Sequence, residues 1–224
     1  MKTKFILLAL LLLPVMANAQ SSMTTLNEER FSNSNTDTQA FLQVGPSFST
    51  LGYYQAGENT SSRKSVDVAI EMNIPMNHYL EFVTGAGYVQ KGIQKNGTDF
   101  TAYFNANYLE LPFAAKAHYE ITDVGTLTFM AGGFVSRLLS QSQFVVYSAT
   151  NDSTTLGGTS YNSGQGFASG FDFGARAGIG FERPLTSKVT ASLDLDYDHG
   201  LKSINEDGVS TRCWTLNFGL GMAI

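Results

Sequence analysis

From Gln39 onward, apolar and polar residues alternate in period two, and no 3.6-residue period is sustained. The clearest run sets Val66, Val68, Ile70, Met72 and Ile74 against Asp67, Ala69, Glu71 and Asn73. Seven others follow the same rule: Leu42 to Phe48, Leu80 to Lys91, Leu109 to Tyr119, Leu127 to Ser136, Phe171 to Glu182, Val189 to Asp198 and Cys213 to Ile224. The pattern predicts eight strands, each with one apolar and one polar face. The fifth is the least regular, because Met130 and Phe134 fall on its polar side.

Alternation does not say which face meets water. A soluble sandwich or lipocalin-like barrel turns its apolar face inward, and a membrane barrel turns it outward. Four features favour the membrane. Short connections (Pro75 to Asn77, Glu120 to Gly125, Arg183 to Ser187) alternate with long ones (Thr50 to Arg63, Ile93 to Thr101, Gln141 to Gln165, Leu201 to Ser210). That asymmetry is the outer-membrane pattern, with short periplasmic turns and longer outer loops. The polar face is rich in glycine (Gly85, Gly87, Gly132, Gly174, Gly178, Gly180, Gly219, Gly221), which weakens a solvent-facing strand but makes room in a narrow lumen. Aromatic residues sit near the strand ends: Phe48, Tyr88, Tyr103, Phe171, Tyr197 and Trp214 toward the outer end, Tyr119 and Phe181 toward the inner. The last run carries alternation to Ile224, as expected of a strand that seals against the first. The expected fold is therefore all-β: an eight-stranded antiparallel up-and-down transmembrane β-barrel over residues 39–224.

The start of the chain reads as an address. Lys2 and Lys4 precede an apolar run from Phe5 to Met16, and Ala17-Asn18-Ala19 offers a small-x-small cleavage site. Residues 1–19 thus read as a signal peptide and 20–38 as a flexible periplasmic leader. Cleavage would remove two lysines and no acid, taking the net charge from −5 to −7. That charge and the lack of a basic run argue against nucleic acid as a partner. The single cysteine, Cys213, excludes a disulfide scaffold.

Thr84-Gly85-Ala86-Gly87-Tyr88-Val89-Gln90-Lys91-Gly92, followed by Tyr108-Leu109-Glu110-Leu111-Pro112-Phe113, resembles the outer membrane protein beta-barrel domain family, the PorT-like set of small bacterial barrels. Phe171-Asp172-Phe173-Gly174 and the Gly-x-Gly at 178–180 are similar as well. The resemblance covers about residues 39–224 and implies an eight-stranded barrel in the bacterial outer membrane, usually of unassigned activity. Some relatives assist protein secretion or gliding. The final Ile224 departs from the Phe that more often ends such strands.

Candidate lumen positions are Glu71, Glu81, Lys91, Glu110, Lys116, His118, Asp172, Arg176, Glu182, Asp194, Asp196 and Asp198. They read as a buried polar network that fills the interior rather than as an ion path, since eight strands leave room only for side chains. A turn centred near Leu185 would pair Arg176 with Asp194 and Glu182 with Lys188, and set Asp172 opposite Asp198. Asp194-x-Asp196-x-Asp198-x-Gly200 fails as a calcium loop, because the glycine is one place late and the twelfth position is Asn205. No metal or cofactor is implied. An outer-membrane lipid-modifying enzyme would need a Ser–His–acid set near the outer leaflet; His199, Ser203 and Ser210 lie there without the spacing, and no GxSxG occurs. His78 falls at a periplasmic turn, and Cys213 reads as a small lumen filler. The loop Gln141 to Gln165 is rich in Tyr, Ser, Asn and Gly, a composition suited to adaptable contacts. The expected role is a non-enzymatic barrel whose outer loops make surface or envelope contacts; the second reading is an accessory to protein secretion. Expected partners are outer-membrane lipid, the barrel-insertion machinery and an unidentified envelope or surface protein, with the barrel itself monomeric.

Overall fold

The computed structural model describes residues 37–51, 60–98, 100–121, 124–149, 152–161, 170–202 and 210–224. Residues 1–19, expected as a signal peptide, and most of the expected leader 20–38 lie outside the described residues. Among the described residues there are nine strands: β1 (Gln39–Leu51), β2 (Thr60–Asn77), β3 (Leu80–Asn96), β4 (Phe100–Ile121), β5 (Gly125–Ala149), β6 (Asp152–Tyr161), β7 (Phe171–Pro184), β8 (Val189–Gly200) and β9 (Thr211–Ala223). Eight of them form an antiparallel up-and-down ring. Each pairs with its neighbour in sequence, β7 pairs directly with β5, and β1 closes on β9 from Gln39↔Ala223 to Leu51↔Thr211. Closure gives every wall strand a partner on both sides and leaves no open edge, which a hydrocarbon surrounding requires.

The ring is inverted relative to a soluble protein. Leu42, Val68, Ile70, Leu111, Phe113, Leu195 and Leu220 are exposed, whereas Glu71, Lys91, Glu110, Lys116, Asp172 and Asp194 are buried. The alternation therefore points its apolar face outward, as the turn and loop asymmetry implied. Met130 and Phe134, the two residues that break the pattern in β5, are buried in the lumen. Met130 packs with Val83 and Ala114 in a small apolar cluster.

The short connections lie at one end: Asn77 to Leu80, Ile121 to Gly125 and Pro184 to Val189. The third is displaced from its expected centre at Leu185. Thr186 Oγ1 accepts from the backbone N–H groups of Lys188 (3.2 Å) and Val189 (3.0 Å), so the turn takes in Leu185 to Lys188. The register that follows pairs Arg176 with Asp198, Gly178 with Asp196, Gly180 with Asp194 and Glu182 with Ser192. The expected pairings Arg176–Asp194, Glu182–Lys188 and Asp172–Asp198 are thus corrected.

The wall is uneven at the other end. β4 has 22 residues and β5 has 25, against 12 for β8 and 13 for β9. Along β3 to β5 the outward residues change character at one level. Above Tyr88 and Leu109 lies a row in which Gln90 Nε2 donates to Asn107 Oδ1 (2.8 Å) and Asn107 Nδ2 donates to Ser140 Oγ (2.9 Å). A hydrogen-bonded amide row belongs in water, so it marks the upper limit of the apolar belt. Beside it Leu139 is an extra residue between Tyr108↔Leu138 and Asn107↔Ser140, a bulge in β5. Beyond this level β3, β4 and β5 continue outward, and Tyr103 stacks on Phe144 with ring centres 4.6 Å apart rather than joining the girdle. The segment expected as the loop Gln141 to Gln165 is largely a hairpin: β5 runs to Ala149 and β6 folds back along it, from Ala149↔Asp152 to Gln141↔Tyr161.

Candidate functional site

The lumen carries the charged chemistry, and its strands deliver it by parity alone, since every second residue of each strand points inward. Arg176 on β7 is the hub. Its Nε and Nη2 bind the two carboxylate oxygens of Asp198 at 2.7 Å each, the bidentate geometry that a guanidinium fork favours. Nη2 also binds Glu110 Oε1 on β4, and Nη1 lies 3.7 Å from Glu71 on β2. Glu110 in turn holds Lys91 Nζ of β3 at 2.8 Å and accepts from Ser136 Oγ at 2.9 Å. Lys91 reaches Asp172 at 3.4 Å and lies 4.1 Å from the centre of the Phe134 ring. Thr211 Oγ1 donates to Asp172 Oδ2 at 2.8 Å. These contacts tie β2, β3, β4, β5, β7, β8 and β9 together across the interior.

Two smaller groups lie nearer the tight turns. Lys116 Nζ binds Glu182 Oε1 at 3.1 Å, and His118 Nε2 lies 3.0 Å from Glu81 Oε2. The third part of the lumen differs. Along β1, β2, β8 and β9 the carboxylates of Asp67, Asp194 and Asp196 meet hydroxyls and amides. Asp67 accepts from Ser47 (2.9 Å), Thr215 (3.2 Å) and the Gln90 backbone N–H (3.2 Å). Asp194 accepts from Ser192 at 2.7 Å and Gln43 at 3.5 Å, and Asp196 from Asn217 at 2.9 Å. Gly178 and Gly180 make space for this wall: a Cβ at either would sit 2.2 or 2.1 Å from the carboxylate oxygen of Asp196 or Asp194.

Asp67 also repairs the barrel wall. The β2–β3 register shifts between Ser62↔Ile93 and Val68↔Tyr88. Across that gap, lumen side chains take over backbone groups of β3. Asp67 accepts from Gln90 N–H, Ser65 Oγ donates to the Gln90 carbonyl at 3.0 Å, and Ser49 Oγ accepts from Gly92 N–H at 2.8 Å.

Of the sequence-predicted residues, Glu71, Glu110, Arg176 and Asp198 converge on one cluster, with Lys91 and Asp172 attached. Lys116 and Glu182 form a pair, and Asp194 joins the hydroxyl-lined wall. Lys188 does not enter the lumen: its side chain is exposed in the turn before β8, where its backbone N–H donates to Thr186 Oγ1. The lumen roles of Asp67, Gln43, Ser47, Asn217 and Thr215 were not anticipated; their inward parity was the available signal. His199 Nδ1 lies 3.3 Å from Tyr197 Oη. The strands on either side of Cys213 bury its thiol, with Sγ 3.8 Å from Thr215 Oγ1. Cavities of about 30 Å³ and about 10 Å³ lie between these side chains, room for a water molecule or two.

The fold resembles solved outer-membrane barrels. Neisserial surface protein A matches at 12% identity over 84% of this chain and 97% of that one, with a TM-score of 0.49. OprG of Pseudomonas aeruginosa matches at 9% identity over 85% and 98%, TM-score 0.48. Ail, the attachment invasion locus protein of Yersinia pestis, matches at 11% identity over 83% and 99%, TM-score 0.40. No curated protein matches the chain in sequence. A family model, the outer membrane protein beta-barrel domain, matches residues 54–206, about two thirds of the sequence. With its closed ring, lipid-ready exterior and this match, the chain belongs to the outer membrane protein beta-barrel domain family and resides in the bacterial outer membrane.

Proposed function

We propose that this barrel is a non-enzymatic surface-contact protein, with the projecting β3–β6 sheet as its binding element. The observation that carries the reading is the free edge of β6. This strand pairs with β5 on one side, and among the described residues no strand pairs its other side. Its ten residues, DSTTLGGTSY, contain one charge and no proline, so the usual guards of an exposed edge are missing. Such an edge can add a strand from a partner through main-chain hydrogen bonds. The packed lumen supplies a base, and β4 and β5 run on from the ring into the projecting sheet.

The test is photocrosslinking in intact cells. A crosslinking residue in place of Thr155, on β6, is expected to give protein adducts at the cell surface, and one in place of Thr186, in a tight turn, to give none. Adducts from Thr186 alone would favour an accessory role at the periplasmic end.

A further inference from the structure

We propose that the lumen binds a single small monovalent cation, of sodium size, in the cavity bordered by Gln43, Asp67, Glu71 and Asp196. The first ground is charge. Among the described residues the lumen buries nine carboxylates: Asp67, Glu71, Glu81, Glu110, Asp172, Glu182, Asp194, Asp196 and Asp198. Against them stand Lys91, Lys116 and Arg176, with His118 already placed on Glu81. A buried carboxylate without a cationic partner must be neutralised in another way, because leaving it bare is costly.

The second ground is a specific unpartnered atom. Gln43 is 3% exposed, and its Nε2 points to Asp194 Oδ2. Its Oε1 meets no donor among the described residues. The side chain lines both lumen cavities, and the other acidic linings shared by the two are Glu71 and Asp196. An amide oxygen and carboxylates are all acceptors, so whatever lies between them must donate hydrogen bonds or carry positive charge. The larger cavity, about 30 Å³, takes an ion with about one water.

The surroundings choose the charge of the ion. Arg176 also lines this cavity together with Glu110; its Nε and Nη2 are held by Asp198 and Glu110, and its Nη1 lies 3.7 Å from Glu71. Its positive charge disfavours a divalent ion. No three carboxylate, histidine or cysteine side chains among the described residues are placed to chelate one. A mixed set of amide oxygen, carboxylate and water fits a singly charged, weakly held ion instead. This site does not depend on the surface-contact reading above.

The test is thermal unfolding of the refolded full-length mature barrel in zwitterionic detergent. Sodium chloride is compared with N-methylglucamine chloride at equal ionic strength; the bulky cation cannot enter. Binding to the folded state alone predicts a midpoint that rises with sodium by a few degrees. Gln43→Leu and Asp196→Asn should abolish that sodium-specific rise. Equal midpoints in the two salts would overturn the proposal and leave water in the cavity. A rise that persists unchanged in both variants would overturn it too, since the ion would then act elsewhere. Should either variant fail to refold, sodium-23 line broadening by the wild-type barrel decides: broadening that disappears on heat unfolding supports the site, and its absence at all sodium concentrations rejects it.

Discussion

The two sides of the lumen solve the same problem by different chemistry. On the β3–β4–β5–β7 side, acids meet bases: Glu110 takes Lys91 and Arg176, Asp172 takes Lys91, and Glu182 takes Lys116. On the β8–β9–β1–β2 side, Asp67, Asp194 and Asp196 meet Ser47, Thr215, Ser192, Gln43 and Asn217. The first arrangement is strong but brittle, since Lys91 and Arg176 each serve several acids and the loss of either strands them together. The second distributes the load over neutral donors, so the loss of any one donor strands less charge. The contrast teaches that a buried charge in this barrel is not equally important everywhere. Its weight depends on whether its partner is itself charged.

Arg176→Met should break the first side and have the largest effect. It leaves Asp198, Glu110 and Glu71 without their shared base, and breaking a buried ion pair in this way costs about 3–5 kcal/mol. Urea unfolding followed by the gel shift between folded and unfolded barrel measures it. Next comes Gly178→Val. Its new Cβ would sit 2.2 Å from Asp196 Oδ1, and overpacking of this kind costs about 1–3 kcal/mol. Asp196→Ala in the same chain should recover part of the loss, which identifies the clash as the cause.

Asp194→Asn sharpens the comparison from the other side. The amide keeps an oxygen to accept from Ser192 and removes a charge that no base among the described residues holds within salt-bridge distance. The expected change is within about 1 kcal/mol, in the range of a neutral hydrogen bond. A loss as large as that of Arg176→Met would erase the distinction between the two sides. Smallest of all should be the effect of removing β6. Deleting Asp152 to Tyr161 takes away a strand outside the ring, so the barrel's urea midpoint should stay unchanged while the Thr155 crosslink site disappears with it.

The ring itself was legible because a lipid-facing strand needs unbroken alternation. Val66 to Ile74 against Asp67 to Asn73 shows this most plainly, and Glu71, Glu110, Arg176 and Asp198 could be named as inward from the same parity. Their partners could not. Arg176 and Glu110 are 66 positions apart and meet across the lumen, whereas sequence spacing reports only neighbours on adjacent strands. Register was the second blind spot. One hydroxyl, Thr186, moved the β7–β8 turn and with it every pair between those strands, and it put Lys188 outside the barrel. The β5–β6 hairpin was hidden for a different reason. From Gln141 to Tyr161 the sequence carries Phe144-Val145-Val146-Tyr147 without a polar break and is otherwise mostly polar, so period two fades.

The central claim is that the apolar face looks into hydrocarbon. Trp214, the only tryptophan in the chain, is half exposed on that face and lies 4.6 Å from the Tyr197 ring. Its fluorescence reports the surroundings directly when the barrel is reconstituted in vesicles containing brominated phospholipid. The account predicts strong quenching by the bromolipid and little by aqueous iodide. Quenching by iodide with none by bromolipid would contradict it.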